Sequence, residues 1–140
     1  MWERTMKILA AAAGAVAGFV GEWNMLLTAL AALMVMDYVT GVIVAWRGKS
    51  PKSETGGVSS RAGFDGLIRK GFIILIVLLA TILDRALNTG SMVFQTASVC
   101  YYIANEGLSI LENAGLMGVP IPEAVRKALE VFKNRSDTED

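Results

Sequence analysis

The stretch WNMLLTALAALMVMDYVTGVIVAW, residues 23–46, holds a single charged side chain, Asp37. A helix needs ~20 mostly apolar residues to cross ~30 Å of hydrocarbon, and this stretch meets that length. Two further stretches are similar. Residues 67–87, centred on GFIILIVLLATILD, carry Asp84, and residues 92–111, MVFQTASVCYYIANEGLSIL, carry Glu106. An ionised carboxylate among lipid tails is costly, so such a residue faces a bundle interior or a water-filled cavity. A fourth apolar run, ILAAAAGAVAGFVG at residues 8–21, comes first in the chain and is broken by Glu22. With about 14 residues it reaches only ~21 Å as a helix. It spans only if the residues before it extend the helix and Lys7 reaches up to the headgroups; otherwise it lies at the interface.

The whole composition agrees with a membrane protein. In 140 residues, 54% are hydrophobic, more apolar helix than a soluble domain of this size can bury. Lys plus Arg equals Asp plus Glu, 13 each, so the basic excess of a nucleic-acid binder is missing. There is no histidine, and the single cysteine, Cys100, lies in an apolar run where a buried thiol is expected. Gly48-Lys49-Ser50 resembles the end of a phosphate loop, but Ile43 stands where that motif requires glycine. No acidic group has metal-ligand spacing, and no Ser or Cys has a histidine to activate it. No catalytic residue, metal or cofactor is therefore expected, and the chain reads as a non-enzyme.

Charge supplies the expected topology. Arg4 and Lys7 precede the first run. Arg47, Lys49, Lys52, Arg61, Arg69 and Lys70 lie between the second and third, and Arg126, Lys127, Lys133 and Arg135 lie in the tail. Arg85, directly after Asp84, is the exception. Basic loops stay on the cytoplasmic side, and four crossings put all three blocks there. The expectation is an all-α integral membrane bundle over residues 1–113, with helices near 7–21, 23–46, 67–87 and 92–111 and both termini cytoplasmic. The alternative is three spans plus a short interfacial first helix. Residues 1–21 also resemble a secretory signal peptide, but Glu22-Trp23 is a poor mature start and the next run begins at once. Residues 114–140 form a cytoplasmic tail. There Pro122 and Glu123 suit a helix start, and Val125, Ala128, Leu129 and Phe132 recur at helical spacing. That amphipathic helix sits either at anionic headgroups or packed under the bundle.

Two patterns bear on function. Ala10, Gly14 and Gly18 form a ladder of small residues on one helix face, which permits close helix contact within the chain or between copies. Asn105, Glu106, Ser109, Glu112 and Asn113 share one face by their spacing. With Asp37 and Asp84 they form candidate intramembrane contacts, either satisfying one another in a closed bundle or lining a water path. Gly41 lies one turn from Asp37 on the same face.

Several of these residues carry a resemblance. AGFDGLIRK (62–70), Leu83-Asp84, NEGLSILEN (105–113) and GVPIP (118–122), with Asp37 and Gly41 in MDYVTG (36–41), resemble the toxin-secretion/phage-lysis holins. The resemblance covers roughly residues 37–127 and leaves the first helix outside it. It implies a homo-oligomer in the bacterial cytoplasmic membrane that opens a non-catalytic hole for a cell-wall hydrolase or a toxin, without binding that cargo stably. It further implies that Gly63 and Gly66 let the loop turn into the third span, and that Arg69 and Lys70 anchor the span at the headgroups. The rival readings are a small ion or proton transporter using Asp37 and Glu106, and a structural subunit of a larger membrane complex.

Overall fold

A computed structural model describes residues 1–20 and 23–139. It is all-α among these, with α1 (Trp2–Val20), α2 (Met25–Trp46), α3 (Ser60–Leu87), α4 (Val93–Leu116) and α5 (Glu123–Glu139). Gly21 and Glu22, where the first apolar run was expected to break, lie outside the described residues. α4 is the central helix: α2, α3 and α5 all pack on it, while among the described residues α1 packs on α3 alone. The core joins Leu27, Leu30 and Met34 of α2 to Ile73 and Val77 of α3 and Val99 and Ile103 of α4. In each helix these residues recur every three or four positions, which places them on one face.

The helix ends follow from local chemistry. Asn24 caps α2 by accepting the Leu27 N–H at 3.0 Å. At the other end Gly48, with φ +72°, lets its N–H bond to the Ala45 carbonyl and that of Lys49 to the Val44 carbonyl. This pair of bonds is a Schellman stop. Gly48-Lys49-Ser50 is thus a helix terminator. The same device closes α4: Gly118, with φ +80°, bonds Gly115, and Val119 bonds Ala114. The prolines of GVPIP follow and prevent the helix from continuing.

Three boundaries differ from expectation. α1 begins at Trp2, not 7, because nothing in WERTMK breaks a helix and Glu3 suits its first turn. α3 begins at Ser60, not 67, because Ser59 caps it by accepting the Ala62 N–H at 3.3 Å. Gly63 and Gly66 consequently lie inside α3 instead of forming a turn before it. α4 continues to Leu116, not 111.

Of the four runs read as spans, α2 and α3 are long and apolar enough to cross a membrane. α1 and α4 do not meet that measure. α1 carries Glu3, Arg4 and Lys7; α4 carries Gln95, Asn105, Glu106 and Glu112. α4 is covered by three other helices, so it needs little apolar surface of its own facing outward.

Asp84 takes no salt bridge from the exposed Arg85 among the described residues. It is 2% exposed and serves the start of α4. Its Oδ1 accepts the Phe94 N–H at 3.0 Å and the Thr89 hydroxyl at 2.8 Å, and its Oδ2 accepts the Gln95 N–H at 2.8 Å. Met92, the residue at the cap position, has no side-chain oxygen to offer. A carboxylate from α3 therefore satisfies orphan donors at the positive end of α4. Gln95 in turn donates to Thr81 at 2.8 Å, which ties the same two helices one turn deeper.

Removing this cap should be costly. Asp84→Ala is expected to destabilise the detergent-solubilised protein by roughly 1–3 kcal/mol, the penalty for stranded buried donors. Asp84→Asn, which keeps one acceptor oxygen, should lose less. Circular-dichroism melts check this; identical midpoints for Asp84→Ala and the parent chain would refute the capping role.

Candidate functional site: a charged triad joining three helices

Helical periodicity turns Arg69 and Lys70 in different directions, about 100° apart. Arg69 is exposed. Lys70 falls in register with Ile73, Val77, Thr81 and Asp84, the buried face of α3. Its ammonium therefore points into the bundle. Lys70 Nζ lies 2.8 Å from Asp37 Oδ2 of α2 and 2.5 Å from Glu106 Oε2 of α4. The three side chains are 14%, 11% and 8% exposed. The expectation that Lys70 anchors α3 at the headgroups does not describe this arrangement. With α3 starting at Ser60, Lys70 lies ~15 Å inside the helix, too deep to act as an end anchor.

Polar groups extend from the triad along α2 and α4. Asn113 donates to the Thr40 hydroxyl at 2.8 Å and to the Asp37 carbonyl at 3.5 Å. Thr40 also donates to the Asp37 carbonyl, at 3.1 Å. Ser109 lies beside Asp37. Asp37 Oδ1 is buried and has no hydrogen-bond partner among the described residues. A half-open cleft of about 1210 Å³ between α2, α3, α4 and the loop joining α2 to α3 reaches the triad.

The face read from α4 thus divides. Glu106 and Asn113 are buried, Ser109 is half-buried, and Asn105 and Glu112 are exposed at the cleft. Gly41 faces Asn113, whose Nδ2 would be 3.9 Å from an added Cβ. Gly63 and Gly66 face Tyr38, at 3.4 Å and 3.7 Å from such a Cβ, an ordinary contact distance that alanine would also fit. Asp84 belongs to the separate cap described above. Ala10, Gly14 and Gly18 are exposed, and no atom comes within 4 Å of a Cβ added at either glycine. The ladder has no partner within the described chain.

Two carboxylates and one ammonium tie the three helices together. Burying the charges opposes folding, and their mutual attraction offsets that cost only while the set is complete. Lys70→Met would leave two facing carboxylates without their cation. The expected loss is about 3–5 kcal/mol, the range for breaking a buried pair. Adding Asp37→Asn and Glu106→Gln to Lys70→Met should restore most of it. Thermal unfolding in detergent reads both, and a harmless Lys70→Met would show that the triad does not hold the helices.

The pattern defining the bacteriophage holin family matches residues 14–134. An uncharacterized protein of Halalkalibacterium halodurans is 40% identical over 137 residues, covering 94% of this chain and 96% of its own. An uncharacterized protein of Clostridium perfringens is 39% identical over 117 residues, covering 84% and 82%. A protein of Bacillus phage phi105 named "Probable holin" is 37% identical over 105 residues, covering 75% and 72%. No solved structure matches the chain. A match over most of the chain, two apolar membrane-length helices and charges turned inward lead to one conclusion: this is a membrane protein belonging to the bacteriophage holin family.

Proposed function

We propose that the protein is a holin that self-associates in the bacterial cytoplasmic membrane and opens a non-catalytic hole. A cell-wall hydrolase or an exported toxin would pass through without binding it stably. One observation carries this reading: polar and charged side chains are buried in the bundle while large apolar ones face outward. Asp37, Thr81, Asp84, Gln95, Glu106 and Asn113 are buried, while Val35, Val39, Phe72, Leu75 and Leu79 point outward. Water would penalise such a surface, and lipid accepts it. Family membership and the phage relative's name support the same reading.

The proposed topology has four crossings and cytoplasmic termini. Its support is the distribution of Lys and Arg, with α2 and α4 running parallel and α3 antiparallel to both. In this reading the triad, with Asn105, Ser109 and Glu112 at its cleft, holds the spans together until the hole forms. The unpartnered Ala10, Gly14 and Gly18 face supplies a contact between copies, where small residues allow van der Waals packing in lipid. The transporter reading is weaker, because Lys70 already occupies an oxygen of both Asp37 and Glu106.

Expression in bacteria should permeabilise the membrane abruptly after a delay, and purified protein should release solutes from vesicles. Graded dyes and folded proteins give the size of the lesion. Release of folded protein supports the hole; flux of ions alone would favour a transporter, and no leak would leave a structural subunit. Reporters fused before Met1 and after Asp140 should both read cytoplasm. An externally active N-terminal reporter would replace four crossings with three.

A further inference from the structure

Among the described residues α5 packs along α4 and no other helix. The short connection through Gly118 and Pro122 turns it back antiparallel. Leu129 seats on Gly107, where an added Cβ would lie 2.5 Å from a Leu129 methyl. That spacing admits only glycine without displacement. Phe132 reaches the core and Ser136 is 3% exposed, so the inner face of α5 is set. Opposite that face and on its flanks, Arg126, Lys127, Glu130 and Lys133 are exposed, with Val131 among them.

The depth of these charges is the telling feature. Gly107 follows Glu106, which meets Asp37 and Lys70 about one to two turns to the cytoplasmic side of the middle of the apolar runs. Arg126, Lys127, Glu130 and Lys133 lie within about one turn of Leu129, so within ~6 Å of that level. At the same level α2 and α3 present Val39 and Phe72 outward. A charged side chain at the centre of a bilayer costs ~2.5–3.5 kcal/mol or more, so Glu130 and Lys133, the deeper of the four, oppose a lipid-facing α5. At one height, then, the bundle has a lipid-compatible side, α2 and α3, and a water-requiring side, α5, separated by α4. That is the cross-section of one stave in the wall of a water-filled hole.

We propose that α5 is the lumen-facing element: in the assembled hole its charged face lines the water, while α2 and α3 face lipid. This rests on the hole reading above and adds which helix is wet. α5 enters the lumen from the cytoplasmic side without crossing lipid.

The test uses the full chain in planar bilayers, with single cysteines at three exposed positions: Lys133→Cys on α5, Glu54→Cys in the loop and Leu79→Cys on α3. Cys100 is fully buried, so the unsubstituted chain is the blank. A membrane-impermeant, polymer-bearing thiol reagent is added after conductance is established. Lys133→Cys should be labelled and conductance should then fall severalfold. Glu54→Cys should be labelled with no change in conductance, and Leu79→Cys should resist labelling. Conductance unaffected by labelled Lys133→Cys, or Lys133→Cys as unreactive as Leu79→Cys, overturns the lumen assignment and leaves the hole intact. Absence of conductance in every protein, the blank included, would overturn the hole reading and this inference with it.

Discussion

The ammonium of Lys70 between the carboxylates of Asp37 and Glu106 is the contact on which the rest of the bundle depends. In lipid the hydrophobic effect does not distinguish a helix contacting another helix from one contacting acyl chains. Close packing and polar contacts must supply the specificity. One cation serving two anions selects one arrangement of three helices, because any slip leaves a charge bare. Three different helices contribute one member each, so the set is incomplete if any helix is absent. The desolvation cost argues against large net stabilisation, and a role in fixing register is the better attested use of buried charge.

Asp84 performs related work at the other end of the same face. It spans the junction between α3 and α4 and answers the orphan donors of α4 directly. Lys70 and Asp84 are about four turns apart on one side of α3. Between them lie Ile73, Val77 and Thr81, so a polar contact closes each end of an apolar seam. The outward faces of α2 and α3 need no such contacts and are given over to Val, Ile, Leu and Phe.

Small residues complete the packing in specific places. Gly107 accepts Leu129, where a side chain would force a shift, while Gly63 and Gly66 lie in ordinary contact with Tyr38. Gly48 and Gly118 act differently, by adopting a backbone conformation that ends a helix. Gly14 and Gly18 do neither among the described residues; the proposed hole gives them to contacts between copies.

The local features were legible in the sequence because they depend on neighbours along the chain. Run length and hydropathy located α2 to within two residues of its observed start. Helical spacing put Glu106 and Asn113 on one face, and the carboxylates were recognised as inward-facing because lipid excludes them. Periodicity also held a clue to Lys70, which shares its face with Ile73, Val77 and Asp84; grouping it with Arg69 as basic residues hid that difference in direction. Only the tertiary structure decided that Lys70 meets residues 33 and 36 positions away, and that Asp84 caps α4. It alone laid α5 along α4. A sequence specifies its apolar lengths and faces through local periodicity, but which faces meet depends on how whole helices pack, and no local pattern carries that information.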